Sequence, residues 1–304
     1  MGGSPQRLAK LAVLAASASA MLGGSAMVAT RFAVAESNPL SLTLLRFLGA
    51  AVLMLAFTLP RTRIAIVPRH WPPIVLLGVL QFALFSWFFT SSLQYIPAGR
   101  AALVLSTMPL ITLTLAAVMR REALSLEKAA GALIALAGVG FALGDRAAIP
   151  GSDAVRGDLL MFGAAFTGAI YNVASGFYLR KYPATMLAAV MLTAGAAALL
   201  AAIAVSGDWS GLISFSAGGW IAVIYLMTLA GAVTFFLWIW ALEHTTPSRV
   251  VITVTLNPVS ATVLGALILA EPVTWHLLVG LAGIVLGITM VNWRAFVASV
   301  QRAR

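Results

Sequence analysis

The sequence predicts an all-α integral membrane protein: ten transmembrane helices arranged as two inverted five-helix repeats around a central cavity. Composition, the spacing of apolar stretches and an internal repeat carry that prediction. Of 304 residues, 61% are hydrophobic and only 9% are charged, where a soluble domain has about 25% charged residues. That is too little charge to coat a water-facing globule. Cytosolic two-domain enzymes, disordered regulators and nucleic-acid binders are excluded on this ground. With no cysteine in the chain, disulfides, thiolate metal sites and cysteine nucleophiles are excluded too.

A helix needs about 20 apolar residues to cross the hydrocarbon core, and each stretch below meets that length. The first, 8–29, follows Arg7 and Lys10 and carries Ala18-Ser19-Ala20, which imitates a signal peptide. The apolar run continues past that point, so a retained first helix is expected. The second, 38–59, opens on Asn38–Pro39. A break from Pro60 to Pro73 precedes the third, 71–92. The fourth, 97–119, opens on Pro97, and the fifth covers 124–144. Ile149–Pro150–Gly151 introduces the sixth, 157–178, and Tyr182–Pro183 the seventh, 183–205. The eighth spans 217–241, the ninth starts at Thr246–Pro247 and runs to 269, and Glu271–Pro272 leads into the tenth, 274–294. Pro and Gly punctuate such turns. Every break is at most about 15 residues, too short for a soluble domain. A barrel would alternate apolar and polar residues, and these stretches do not.

Charge sets the orientation. Ten spans put both termini on one side. On that side fall Arg7, Lys10, Arg61, Arg63, Arg69, Arg120, Arg121, Lys128, Arg180, Lys181, Arg249, Arg294, Arg302 and Arg304; the other side has Arg31, Arg100, Arg146 and Arg156. Fourteen against four is a strong positive-inside bias and places both termini in the cytoplasm. The net charge of +10 therefore reports topology and requires no nucleic acid.

The fourth and fifth spans match the ninth and tenth without a gap at an offset of 149. Leu93 meets Leu242, Arg100 meets Arg249, Pro109 meets Pro258, Glu122 meets Glu271, Gly131 meets Gly280 and Gly138 meets Gly287. A fainter match at an offset of 144 pairs Gly24 with Gly168 and Pro39 with Pro183. The chain thus divides into copies at 1–148 and 149–304. Five spans are an odd number, so the second copy must be inverted. Inverted repeats with a site between the halves are a transporter signature.

The stretches Gly23-Gly24-Ser25, Asn38-Pro39-Leu40 and Leu45-Arg46-Phe47 resemble the opening of an EamA domain. Pro97, Ser106-Thr107-Met108-Pro109-Leu110, Glu122, Gly131 and Gly138 resemble its closing half, and Pro247, Asn257-Pro258, Glu271 and Gly287 a second copy. The resemblance covers nearly the whole chain and implies the drug/metabolite transporter superfamily. Within it the chain is most similar to the YddG-type exporters of aromatic amino acids. It further implies a bacterial inner-membrane location, and a central cavity with the fifth and tenth helices packed outside.

Pro109 and Pro258 fall near the centres of their spans and should kink them, either as hinges or as static bends. Ser106, Thr107, Thr253 and Asn257 surround the kinks and are candidate substrate contacts, although Ser and Thr in spans often bond their own helix. Gln81 and Phe85 put an amide and a ring on one face of the third span; Tyr171 and Asn172 form a polar stripe on the sixth. Arg46 is the ionisable residue placed well inside a span, with snorkelling or helix bridging as its plainer role. The second copy has Val190 at the corresponding position. Glu122 and Glu271 sit at span ends and read as structural turn residues.

No Asp, Glu or His falls mid-span. A buried carboxylate is the usual means of proton coupling. Facilitated transport of small zwitterionic or neutral amphipathic solutes is therefore expected, and the resemblance implies export, aromatic or other apolar amino acids first. Proton antiport of other metabolites or drugs is the alternative. A membrane enzyme would need paired aspartates, metal ligands or a nucleophile with its base, and the sequence offers none. The expected partners are a small-molecule substrate and the lipid bilayer, with no cofactor and no metal. A monomer suffices, since each repeat supplies half a cavity.

Overall fold

In the computed structural model, residues 5–61, 65–119, 126–144, 153–244 and 253–301 are described. Among them the regular structure is helical throughout, with no strand. In chain order the rods are α1 (Pro5–Val34), α2 (Pro39–Thr58), α3 (71–92), α4 (Ala98–Val118), α5 (Leu126–Leu143), α6 (Asp153–Leu179), α7 (Ala184–Ser206), α8 (217–244), α9 (Leu256–Leu269) and α10 (Trp275–Gln301). Seven of them are long and apolar enough to cross a membrane, and Leu133–Leu143, Leu256–Leu269 and Trp275–Met290 are shorter apolar helices. Glu122, Pro247 and Arg249 lie outside the described residues, as does the first part of the ninth expected span.

The helix ends follow local chemistry. Asn38 Oδ1 accepts from the Ser41 amide at 2.7 Å, and Pro39 fills the first helical position of α2. Such a cap is worth about 0.5–2 kcal/mol. Ser216 Oγ accepts from the Gly219 amide at 3.1 Å and starts α8. Helix α7 stops at Gly207, whose φ of +70° suits a residue without a Cβ. Helix α9 ends on Ala270 at φ 52°, a conformation that costs an L-residue about 1–2 kcal/mol. That turn carries the next residue, Glu271, back across the bundle.

Eight rods contact one another in a closed order: α1, α9, α4, α6, α3, α7, α2, α8 and again α1. One apolar core joins α1, α3, α4, α6, α8 and α9 around Met27, Leu93, Leu103's neighbour Val104, Met161 and Leu226. A second joins α2, α3 and α7 around Leu44, Phe82, Leu187 and Met191. Helices α5 and α10 pack chiefly against each other and reach the rest through the first half of α4. Their seam is made of small residues. A Cβ on Gly138 would stand 3.0 Å from the Gly280 carbonyl oxygen and 3.1 Å from the Gly283 Cα, and one on Gly287 would strike the Gly131 carbonyl. In lipid, dispersion from such close backbone approach replaces the hydrophobic drive.

At one end, called here the Asn38 end, polar contacts tie the rods together. Glu36 accepts from Ser216 N at 2.7 Å and Ser216 Oγ at 2.8 Å, Ser37 Oγ donates to Gly211 O, and Asn38 Nδ2 donates to Asp208 at 3.0 Å. Arg100 grips Asp158 with two bonds of 3.0 and 2.7 Å and donates to the Leu143 carbonyl at 3.2 Å, joining α4, α5 and α6. At the opposite end, the Tyr182 hydroxyl meets His70 Nδ1 at 2.6 Å and accepts from Val67 N at 3.2 Å.

Candidate functional site

Two local distortions recur within one residue of the repeat offset of 149. Helix α3 widens to a π turn over Val79–Phe85, and α8 does so over Thr228–Val233. A π turn inserts a residue into the helical ladder and commonly marks a functional position. Helix α4 is interrupted at Ser106 and Thr107, and the chain entering α9 turns at Val254 and Thr255. Proline explains both interruptions. Pro109 cannot donate to Leu105 O, nor Pro258 to Val254 O, and each ring crowds the carbonyl four residues back. The break therefore stands before each proline, and Pro109 occupies the first turn of the second half of α4.

Around the α3 π turn the rings form a connected set. Phe47 of α2 meets Phe82 with centroids 5.5 Å apart, and Phe82 meets Tyr171 of α6 at 6.5 Å. Phe85 stacks on Phe89 at 6.1 Å and 20°. Gly168 lets Phe85 and Met108 approach α6: a Cβ there would be 2.5 Å from the Met108 sulfur and 3.1 Å from the Phe85 ring. Arg46 places its guanidinium 5.2 Å from the Phe47 centroid and 5.9 Å from that of Phe89, within cation–π range.

The predicted site residues fall into four groups. Gln81, Phe85 and Tyr171 belong to the π-turn neighbourhood, and the Gln81 Oε1 atom is buried with no hydrogen-bond partner. Asn172 is exposed and reaches Thr112 Oγ1 at 3.4 Å across to α4. Asn257 lies half-buried against α1, where Gly23 leaves room for its side-chain amide. Ser106 Oγ donates to Ala102 O and Thr107 Oγ1 to Val104 O, both at 2.7 Å within their own helix. Thr107 is fully buried and Thr253 nearly so, so neither offers cavity surface in this conformation. The sequence reading missed the Ser25–Tyr225 hydroxyl pair, 2.5 Å apart between α1 and α8.

An apolar crevice of about 490 Å³ opens between α2, α7 and α8, lined by Leu53, Met54, Phe57, Thr185, Phe236 and Trp240 among others. These residues lie toward the Tyr182 end. The predicted site residues do not line it.

Comparison with known proteins decides the family. The profile of the EamA-like transporter family matches residues 10–144 and again 155–293. The chain belongs to the EamA-like transporter family. Uncharacterized transporter YvbV of Bacillus subtilis is 28% identical, with 88% of this chain and 86% of the relative covered. Uncharacterized transporter YoaV of the same organism is 24% identical over 89% and 92%. Uncharacterized inner membrane transporter YedA of Escherichia coli K12 is 28% identical over 81% and 78%. One solved structure superposes with a TM-score of 0.69 at 24% identity, covering 96% of this chain and 99% of its own; it supports the fold.

In this EamA-like transporter, Glu271 ties three elements at the Asn38 end. Its carboxylate accepts from the Ala98 amide at 2.9 and 3.1 Å, capping α4 from the turn after α9, and stands 3.5 Å from Arg31 Nε. Arg31 in turn donates to the Leu93 carbonyl. Burial pushes the Glu271 carboxyl above the usual range, against the opposing pull of the Ala98 amide and Arg31. The fold thus holds this proton more firmly than the unfolded chain does. Stability from this group is present at low pH and lost as pH rises from the ordinary glutamate value through the raised one. Glu271→Gln should remove that part of the slope when thermal unfolding in detergent is followed across the mildly acidic range; an unaltered slope would contradict the assignment.

Proposed function

We propose that this EamA-like transporter exports small amphipathic metabolites, aromatic or other apolar amino acids first, by alternating access without obligatory proton coupling. The observation that carries the reading is the ring set of Phe47, Phe82, Phe85, Phe89 and Tyr171 at the α3 π turn, in a sequence with no Asp or Glu mid-span. Gln81, Tyr171, Asn172 and Asn257 add neutral polar groups suited to a zwitterion with an apolar body. Ser106, Thr107 and Thr253 would join them only on rearrangement of α4 and α9.

The topology proposed is ten spans in two inverted copies meeting at residues 148 and 149, with both termini in the cytoplasm. The matching π turns and helix breaks support the repeat, and the distribution of Lys and Arg supports the orientation. On that orientation the Asn38 end faces outward. Its ties among Glu36, Asn38, Arg31 and Glu271 suit a state closed to the outside, and the crevice between α2, α7 and α8 suits one opening inward. Rocking of the halves would exchange these ends.

Counterflow of labelled phenylalanine or tryptophan into preloaded proteoliposomes tests the reading. Uptake is expected and should be indifferent to an imposed pH gradient. Uptake that follows the gradient would replace facilitated export by proton antiport and direct attention to Glu271. Absence of uptake for every aromatic and apolar amino acid would remove the substrate assignment.

A further inference from the structure

Among the described residues Arg46 is a cation without an anion. Among the described residues its contacts are the faces of Phe47 and Phe89, and neither ion pair in the described structure includes it. Its five N–H donors have no acceptor there. The chain has nine acidic residues, namely Glu36, Glu122, Glu127, Asp145, Asp153, Asp158, Asp208, Glu243 and Glu271. Those among the described residues lie in turns or near helix ends. Arg46 is about 12 Å along α2 from its Asn38 cap, and no described carboxylate forms an ion pair with it. A guanidinium in a membrane bundle is normally paired with a charge or with backbone carbonyls. This one has only rings.

The rings continue away from it in two directions. Phe89 leads to Phe85 and the Gly168 notch; Phe47 leads to Phe82 and Tyr171. A single positive head at the edge of an apolar aromatic wall is complementary to a solute with one carboxylate and an apolar body. The repeat adds a constraint. Val190 stands at the position corresponding to Arg46, so the pseudo-symmetric partner surface has no second cation. One carboxylate is read, in one orientation.

We propose that Arg46 binds the carboxylate of the transported solute, with the Phe47–Phe82 and Phe89–Phe85 rings holding its apolar body. This deepens the transporter reading above and rests on it. It makes the carboxylate the required feature of the substrate and the ammonium group dispensable.

The test uses purified full-length protein, with 3-phenylpropanoate, its neutral amide and phenylalanine as probes. Thermal protection in detergent is read first, then inhibition of phenylalanine counterflow. The wild type should favour the acid over the amide by about tenfold or more, as the loss of a charge-assisted bond implies. Arg46→Gln should abolish that preference while leaving the weak effect of the amide, and Arg46→Lys should keep part of it. An equal response to acid and amide in the wild type overturns the proposal, and this arm needs no variant to fold. A folded Arg46→Gln protein with undiminished preference also overturns it. Arg46-dependent protection by 3-phenylpropanoate without phenylalanine counterflow would support Arg46 as the reader and remove the amino acid reading. A wild type indifferent to all three probes would overturn both.

Discussion

Gly24→Val should abolish the folded bundle. A Cβ at Gly24 would collide with Ser260 Oγ and the Asn257 carbonyl oxygen and stand 2.8 Å from the Ala261 amide nitrogen. Two of those three neighbours are backbone, so no rotamer change can relieve the contact. Either α1 or α9 must move, and both belong to the closed order of eight rods. Overpacking a well-filled core usually costs about 1–3 kcal/mol; a branched side chain against backbone belongs at or above the upper limit. That is a large part of the typical 5–15 kcal/mol separating folded from unfolded protein. Gly176→Ala is the control, because a Cβ there meets nothing within 4 Å, and alanine favours the helix by about 1 kcal/mol. Gel filtration in detergent and thermal unfolding would separate the two. A Gly24→Val protein that elutes and melts like the wild type would contradict the α1–α9 contact.

The features legible in the sequence were those set by local chemistry or by solvent. Apolar length marks a span because unsatisfied backbone in lipid forces helix formation. Asn38–Pro39 marks a start because its cap and fixed φ act within four residues. Gly131, Gly138, Gly280 and Gly287 were legible as repeat matches; that they form the seam between α5 and α10 came from the fold. The π turns at Val79–Phe85 and Thr228–Val233 were not legible. The extra residue in such a turn is held by tertiary packing, and the 3.6 period puts Gln81 and Phe85 on one face without any sign of it. Glu271 looked like a turn residue; its role as cap of α4 depends on Ala98, 173 positions away. Ser106 and Thr107 show the opposite limit. Their residue types suit a substrate, but nearby carbonyls of the same helix occupy their hydroxyls. Arg46 was visible as a charge inside a span. What the sequence lacked was the knowledge that, among the described residues, only rings meet it.

Pro109→Ala and Pro258→Ala should slow transport without loss of folded protein. A proline within a span costs about 3 kcal/mol or more where it interrupts a helix, so alanine should leave stability unchanged or raise it. The restored N–H groups would be placed to bond Leu105 O and Val254 O, closing the breaks at 106–107 and 254–255. Closing them stiffens α4 and α9, which contact each other and lie on either side of the proposed repeat boundary. If exchange between outward and inward states bends these helices, the variants must open the restored bonds at every cycle. A net hydrogen bond of about 0.5–1.5 kcal/mol lost at the top of the barrier slows one site by up to about tenfold and the double variant by up to about a hundredfold. Initial counterflow rates per folded molecule would measure this. A double variant that transports at the wild-type rate would make the prolines static bends. Alternating access would then have to come from rigid rocking of the halves, with the ties at the Asn38 end as its moving parts.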